Sequence, residues 1–348
     1  MFFAISQIAN KQIEFGDQVI VVYSKRWDTP KNINKYFNEK IQLIEISFSL
    51  KPKKFIKHVI KCYNVIKNSN LDVLHLHSSY SGFIGRILFS RKAFKIFYTP
   101  HGLSILRLDL SKIHRLILLV LEKIAHFLSG YVIACSESES DAYKKYISNS
   151  KISFLNNSIP LDKLKKYNIN PNINKKTFIM VGRIMPQKNP NLFIEIKKQL
   201  ELSGINAEYI WIGDGDIALK KNLVENNIKV TGILNRELVW EEMSKSFIFI
   251  QTSLWEGMPL TLMESQAIGL PIISNNTPGN TSVINHGETG YLYSDVNNAV
   301  ELIKKLINFD NSIWLSISNK AKAYAQDNYS VSNYCMKLNK IYQNIKES

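Results

Sequence analysis

The sequence predicts an α/β fold of two domains, each a doubly wound, Rossmann-like parallel sheet covered by helices, and two observations support this class. Short β-rich runs alternate with amphipathic segments of helical length, in two series along the chain, and this alternation is typical of strand–helix–strand units. A polar, Pro- and Asn-rich stretch at about 158–175 separates the series. We expect ligands to bind beyond the carboxyl ends of the strands, in a cleft between the domains.

The first series opens with a helix, because apolar residues near the start recur at helical spacing: Phe2, Phe3, Ile5 and Ile8. Its predicted strands follow at 18–23, 71–77, 94–100 and 131–136. The strands of the second series are predicted at 177–183, 207–215, 228–233, 246–253 and 271–276. We place the first domain at 1–160, the second at 172–325, and at 326–348 a helix that returns to the first domain.

Charge separates the two halves. Of the net charge of +15, residues 1–160 carry +12 and residues 161–348 carry +3. A basic field attracts nucleic acid, phosphates and anionic membranes alike. Because the sequence contains no nucleic-acid recognition motif, we expect no nucleic acid as a partner.

Location is predicted from what the sequence lacks. Its most apolar region, 110–135, is interrupted by charged residues and predicts a buried amphipathic helix rather than a membrane span. The first residues have neither a basic leader nor a cleavage pattern, which predicts a cytoplasmic protein. The three cysteines, Cys62, Cys135 and Cys335, form neither a disulfide framework nor a metal motif.

One helix pattern is strongly basic. Six lysines lie between Lys51 and Lys67, interleaved with apolar residues at helical spacing. Such a helix could lie on an anionic bilayer. It could equally pack on the sheet with its lysines in water.

The second domain carries a motif for anion binding. In VGRIMPQKNP, the predicted strand 177–183 ends with Gly182 and Arg183, and Arg183 and Lys188 are placed at the loop that leads into a helix beginning near Pro190. Two cations beside a helix N-terminus can neutralise a diphosphate leaving group. An isolated Arg–Lys pair is more often two solvated side chains, so the interpretation depends on the next motif.

The next motif is SFIFIQTSLWEGMPLTLMESQAIGLPIIS. It predicts a strand, a loop ending in Glu256 and Gly257, and a helix begun by Pro259 and stopped by Gly269. The N–H groups at the helix start can meet a phosphate or sugar oxygen; they belong to Gly257, Met258 and Leu260. Glu256 and Glu264 can each accept hydrogen bonds from a pair of sugar hydroxyls.

Together, GRIMPQKNP, IGDGD, TSLWEGMPLTLMESQAIGLP and NHGETGYL resemble the C-terminal half of the GT-B glycosyltransferases of family 4. The resemblance implies a metal-independent, retaining transfer of a sugar from a nucleotide diphosphate donor, with a UDP-sugar expected. It implies that Arg183 and Lys188 hold the diphosphate, Glu256 the transferred sugar and Glu264 the ribose. The loop bearing Gly232 and Leu234 would lie near the base.

No metal or other cofactor is expected. GDGD at 213–216 contains a D-x-D pattern, but its place after a predicted strand favours a turn, where Gly and Asp are preferred for backbone reasons.

The first domain also resembles the family, in its polysaccharide-building bacterial members. FYTPHGLSILRLDLSKIHR places His101 after a strand, and the resemblance implies that His101 faces the transferred sugar. LHLHSSYSGFIGR places His77, Ser78 and Ser79 where they could line the acceptor cleft. In CSESES, Ser136 and Glu139 predict a capping box, which is sufficient to explain both residues.

The chain departs from the family at its start. Family members open with a strand and a Gly-rich turn, whereas this sequence opens with the helix that would follow. We expect the neighbouring strands to be left unpaired and the first domain to be destabilised. Two explanations stay open: the sequence starts too late, or the enzyme is a degraded, weak one.

The resemblance implies a glycosyltransferase acting on a lipid-linked saccharide in O-antigen or capsule assembly, located peripherally on the cytoplasmic face of the inner membrane. The alternative is a weak or inactive sugar-nucleotide-binding protein, and charge alone motivates a third hypothesis of nucleic-acid binding.

Overall fold

The computed structural model describes residues 2–25, 29–47, 52–90, 94–107, 109–171, 176–308 and 311–345, and it contains the two predicted parallel-sheet domains. Lys51 of the basic segment and residues 172–175 of the predicted linker lie outside the described residues, and so do the side chains of Lys53 and Lys54.

The first domain alternates strands and helices. Its elements are α1 (Phe2–Glu14), β1 (Ile20–Tyr23), β2 (Gln42–Glu45), α2 (Pro52–Lys67), β3 (Val73–His77), α3 (Ser79–Leu88), β4 (Lys95–Thr99), α4 (Lys112–Leu128), β5 (Tyr131–Ala134), α5 (Glu137–Tyr146), β6 (Ile152–Phe154) and the single turn α6 (Leu161–Leu164). The strands form two separate parallel sheets, β1-β2 and β3-β4-β5-β6.

The second domain has one continuous sheet. Its elements are β7 (Thr177–Val181), α7 (Pro190–Leu202), β8 (Glu208–Ile212), α8 (Ile217–Glu225), β9 (Lys229–Val230), α9 (Arg236–Lys245), β10 (Ile248–Gln251), α10 (Leu260–Ile268), β11 (Ile272–Asn275), β12 (Tyr291–Tyr293), α11 (Val296–Asn308) and α12 (Asn311–Asn328). The order β12-β11-β10-β7-β8-β9 is parallel throughout. All nine predicted strands exist, although β9 is shorter than predicted, and β2, β6 and β12 were not predicted.

The last helix, α13 (Val331–Asn344), lies against the first domain. Its Tyr334 and Leu338 share a hydrophobic cluster with Ile8 of α1 and Phe97 of β4. The Tyr342 hydroxyl lies 2.6 Å from Nδ1 of His75. The C-terminal helix therefore covers the face of the first-domain sheets that α1 also covers.

The first domain leaves two strand edges open. Among the described residues β1 pairs only with β2, and β3 pairs only with β4. Both strands line a cavity of about 1650 Å³, which we call the split-sheet cavity. Unpaired neighbouring strands are what the sequence predicts for this domain.

One prediction about a helix is wrong. The segment 110–135 contains α4, but seven of the long apolar side chains of α4 face outward, with Phe127 86% and Ile113 72% exposed, while Leu118 and Leu119 pack on the core. None of the described helices is long and apolar enough to span a membrane.

Candidate active site

Lys188 and Glu256, predicted separately as a cation and an acid, form one ion pair in the second domain. Lys188 Nζ lies 2.6 Å from Glu256 Oε1, and both side chains are largely buried. Gly182, at the end of β7, leaves room for the lysine, because a Cβ there would lie 3.0 Å from Lys188 Cε. The Thr252 hydroxyl donates to the Lys188 carbonyl oxygen at 2.7 Å and fixes the loop. Charges interact strongly in such a partly dry site, so an anionic ligand would compete with Glu256 for the lysine.

Arg183 occupies the exposed turn after β7 and lines the split-sheet cavity. His77 of β3 lines the same cavity. Arg183, predicted to bind the phosphates, therefore lines the same cavity as His77, which is predicted to line the acceptor cleft.

Glu264 is buried in α10 and pairs with Arg236, the first residue of α9. The Arg236 guanidinium also lies 4.8 Å from the ring centroid of Phe3, in α1 of the first domain. Burial lowers the pKa of Arg236 to about 10. At neutral pH the guanidinium is therefore still charged. Its ion pair engages the Glu264 carboxylate, which is the group predicted to bind the ribose.

The helix-start residues lie where the two domains meet. A Cβ on Gly257 would lie 2.8 Å from the Gly102 nitrogen and 3.1 Å from the His101 carbonyl carbon. Only a glycine at position 257 permits this backbone contact without displacement. The structure thus places His101, predicted on the acceptor side, directly against the predicted donor loop.

Two first-domain side chains hold that loop by hydrogen bonds across the cleft, and a third bonds the loop at Gly279. The Ser136 hydroxyl donates to the Gly257 carbonyl oxygen at 2.8 Å, and Asn157 Nδ2 donates to the Met258 carbonyl oxygen at 3.0 Å. The Gly279 N–H donates to Ser138 Oγ at 3.0 Å. The sequence did not predict these cross-domain contacts, because serine and asparagine carry no motif that distinguishes them from loop residues.

The predicted capping box is only half right. Ser136 caps α5 by accepting from the Glu139 N–H. The Glu139 carboxylate does not return to Ser136. It accepts from the N–H of Gly102 at 2.6 Å and of Cys135 at 2.8 Å. Burial raises the pKa of the Glu139 carboxyl. Glu139 therefore positions the turn at His101, a role that no signal in the sequence distinguishes from a helix cap.

His101 adopts a left-handed backbone, with φ of 55°. Its Nε2 lies 3.0 Å from Nδ1 of His77, and the two rings stack. His77 in turn stacks on His75. Loss of water around the rings lowers the pKa of His77 to about 4 and those of His75 and His101 well below their usual value. All three imidazoles are therefore neutral at pH 7, when a sugar hydroxyl can exchange hydrogen bonds with them.

The remaining predicted residues lie around this centre. Pro259 is the N-cap of α10, so the helix begins at Leu260, one residue later than predicted. Gly232 has φ of 73° in the turn after β9. Leu234 packs against the second-domain core. The roles of these residues in ligand binding stay predictions.

The acids of GDGD have local structural partners. Asp214 pairs with Lys220 at 3.0 Å, and Asp216 caps α8 by accepting from the Leu219 N–H. Within the described ranges, no group of three or more His, Cys, Asp and Glu side chains is placed to hold a metal ion. That the reaction needs no metal stays a prediction.

The two domains and their cleft define the fold class. Sucrose-phosphate synthase from Thermosynechococcus elongatus has the same fold, with a TM-score of 0.81 over 97% of this chain and 92% of that one at 16% identity. The fold is that of the GT-B glycosyltransferases.

Sequence comparison identifies the family. The model for Glycosyltransferase Family 4 matches residues 4–163, and that for Glycosyl transferases group 1 matches residues 162–327. The chain belongs to glycosyltransferase family 4 and is a glycosyltransferase. It is 29% identical to a UDP-Gal:alpha-D-GlcNAc-diphosphoundecaprenol alpha-1,3-galactosyltransferase of Escherichia coli, over 77% of this chain and 73% of the relative. It is 30% identical to a 41.2 kDa protein of the Klebsiella pneumoniae cps region, over 68% of this chain and 70% of the relative.

Proposed function

We propose that this glycosyltransferase moves a sugar from a UDP-sugar to a lipid-linked saccharide, with retention of the anomeric configuration, during assembly of a surface polysaccharide. The name of the Escherichia coli relative supports both a UDP-sugar donor and a diphosphoundecaprenol-linked acceptor. The observation that carries the proposal is the Lys188–Glu256 pair, because it lies beside the Gly257 loop that touches His101 from the other domain.

In the proposed reaction an acceptor hydroxyl forms a bond to the anomeric carbon on the face from which the nucleotide leaves. The bond from that carbon to the β-phosphate oxygen breaks, and the departing phosphate takes the hydroxyl proton. Arg183 and Lys188 stabilise the negative charge that develops on the diphosphate. His101 and Glu256 orient the sugar. Glu264 binds the ribose hydroxyls, which replace Arg236 as its partner.

We also propose that the enzyme works peripherally at the cytoplasmic face of a membrane, because its acceptor would be anchored there. The charge of the first domain supports this location, since a basic surface is attracted to anionic lipid headgroups.

A second candidate is a protein that binds a nucleotide sugar without transferring it. The split first-domain sheet favours this alternative, because the acceptor side is built on strands with unpaired edges. The two candidates differ in turnover rather than in donor binding.

The test compares donor binding and donor hydrolysis for UDP- and GDP-sugars, with and without EDTA. The variants are Glu256→Gln, which keeps the shape of the side chain and removes its charge, and Arg183→Ala. We expect turnover of a UDP-sugar that EDTA does not change, and a decrease of about a hundredfold to a thousandfold in each variant.

Lys221→Ala is the matched control, because Lys221 forms an exposed ion pair with Glu225 on α8. Turnover at the normal rate in Glu256→Gln would contradict the assigned site. Donor binding with no turnover, even with a lipid-linked acceptor mixture, would favour the binding protein. Loss of turnover in EDTA that added metal restores would contradict metal-independent transfer.

A further inference from the structure

The outward side of α4 is an apolar surface. Seven large apolar side chains of this helix are exposed and fall on one arc of it, namely Ile113, Leu116, Ile117, Val120, Ile124, Phe127 and Leu128. A surface helix of a water-soluble domain normally turns such an arc toward the core. Here the arc is turned to the surface, and we call it the α4 apolar face.

The inward side of α4 is unusually polar. Glu122 is buried and lies 2.6 Å from Arg86 Nη2 of α3, which is fully buried. The Tyr143 hydroxyl donates to Glu122 at 3.2 Å and lies 3.1 Å from His126 Nδ1. Buried charge is costly unless paired in this way. If the helix rotated its apolar face inward, Leu118 and Leu119 would become exposed and the Arg86–Glu122 pair would break. The exposed arc is therefore a fixed feature of the fold.

The surroundings of the α4 apolar face are basic. Exposed Lys112 and Lys123 border the arc on α4 itself. The inward residues of α2, α3 and α4 share one hydrophobic cluster, so the three helices cover the same face of the sheet. Neither α2 nor α3 contains an acidic residue, and on α2 the exposed Lys57 and Lys61 accompany exposed Ile56 and Ile60.

We propose that the α4 apolar face inserts into the surface of an anionic phospholipid bilayer, with α4 lying in the membrane plane and its lysines among the headgroups. This inference rests on the proposed function, because it specifies how the enzyme meets a membrane-anchored acceptor. Apolar residues on one side and lysines at the border are the features of interfacial helices. The basic segment of α2 then supplies charge, while α4 supplies the inserted residues.

Charge favours a bilayer over a second copy of the chain. Two copies joined through this face would bring their bordering lysines together, whereas anionic headgroups would neutralise them. The α4 apolar face also lies close to the acceptor side. Arg115 Nε of α4 donates to the Ile105 carbonyl oxygen at 3.0 Å, in the loop that follows His101. A bilayer at this face would therefore bring its lipid-linked molecules near the cleft.

The test is sedimentation of the full chain with vesicles of phosphatidylglycerol and phosphatidylethanolamine, or of phosphatidylcholine alone. The variant is the triple substitution Ile113→Gln, Leu116→Gln and Phe127→Gln, which changes exposed residues and keeps good helix formers. We expect the unmodified chain to bind the anionic vesicles better than the neutral ones. The triple variant should bind about a hundredfold more weakly, since three large apolar groups stay in water.

The matched control changes equally exposed apolar residues of the second domain: Leu202→Gln, Ile217→Gln and Val224→Gln. It should bind vesicles like the unmodified chain. Equal vesicle binding by the triple variant would overturn the proposal. It would also be overturned if the unmodified chain did not bind vesicles but formed a dimer, and the triple variant were a monomer. Donor hydrolysis without vesicles should be the same in all three proteins. If the chain binds vesicles through α4 and turns over no donor, the glycosyltransfer proposal fails while this one stands.

Discussion

The two domains repeat one architecture, a parallel sheet covered by helices, but their strands pair differently. In the second domain six strands form a single sheet, and β7 at its centre pairs on both sides. In the first domain the strands divide into a pair and a set of four, and the split-sheet cavity lies along their open edges. A parallel sheet is stabilised by the pairing of its backbone groups and by cover on both faces. Among the described residues, every neighbouring strand of the second domain is paired in one sheet, whereas β1 and β3 of the first domain each pair on one side.

The difference also distinguishes how each site is supported. Lys188, Glu256 and Glu264 belong to loops and a helix anchored in the complete sheet. The histidines stand on β3 and on the loop after β4, beside an open edge, and contacts from elsewhere hold them. Tyr342 of α13 reaches His75, and Glu139 of α5 holds the turn at His101. The histidines therefore depend on the C-terminal helix and on α5, while the donor loop depends in turn on Ser136 and Asn157 of the first domain.

The largest expected effect tests whether the two domains differ in stability. Phe97 of β4 and Phe178 of β7 are both fully buried. We expect two unfolding transitions in denaturant, with the first domain unfolding first. Each substitution to alanine should cost about 3–5 kcal/mol, with Phe97→Ala moving the first transition and Phe178→Ala the second.

Phe127→Ala is the control for this comparison, because Phe127 of α4 is 86% exposed. It should change the free energy of unfolding by less than about 0.5 kcal/mol. A single transition that both core variants shift equally would show that the domains unfold as one unit, and the comparison would fail.

The sequence predicted the fold well because parallel strands buried on both faces are continuous apolar runs. The strands β2, β6 and β12 at the sheet margins escaped prediction because they are only three or four residues long, and such short segments resemble loops. The first two are also half-exposed, whereas the tyrosines of β12 are buried. The helix α4 was predicted to be buried from its hydrophobicity. Periodicity gives the direction of an apolar face relative to the helix, but not which side packs on the protein.

Site residues that belong to a motif of fixed spacing were predicted from the sequence. Those whose role depends on a tertiary contact were missed. Lys188 and Glu256 are 68 positions apart, and the structure joins them as expected for residues after neighbouring parallel strands. Arg236 was missed because a single arginine at a helix start carries no pattern. Glu139 was explained by a local cap, and only the folded chain shows that its carboxylate reaches Gly102.

A smaller effect is expected where the two domains touch. Gly257→Ala places a Cβ against the backbone of Gly102, so the Glu256 loop or the His101 turn must move. Because small displacements of positioning groups reduce rates strongly, turnover should fall about a hundredfold. The stability of each domain should change little. Gly204→Ala is the control for turnover: a Cβ there meets nothing within 4 Å, and the strain that its φ of 77° imposes on alanine stays in the turn after α7, so turnover should not change. Unchanged turnover in Gly257→Ala would show that this contact does not align the two sides.

The smallest effect expected is the response of the first domain to acid. His77 has a pKa of about 4 when folded, and the pKa values of His75 and His101 are also lowered by burial. In the unfolded chain a histidine titrates near 6.5. Below that pH the unfolded state binds more protons, so the first domain should lose stability as the pH falls from about 6.5 toward 4. Each such histidine contributes at most about 1.4 kcal/mol per pH unit.

His77→Asn should reduce this slope by about one proton's contribution, measured as the first urea transition at several pH values. The second transition should keep the same pH dependence in both proteins. Glu139 acts in the opposite direction, because its raised pKa means that protonation of the folded state relieves a buried charge. Glu139 contributes between the ordinary pKa of an unfolded carboxyl and its raised folded pKa, so the histidine effect is taken as the difference between the unmodified chain and His77→Asn at each pH, in which the Glu139 contribution cancels. If acid destabilises both domains equally and His77→Asn changes nothing, the histidines by the open edge are not what makes the first domain the weaker one.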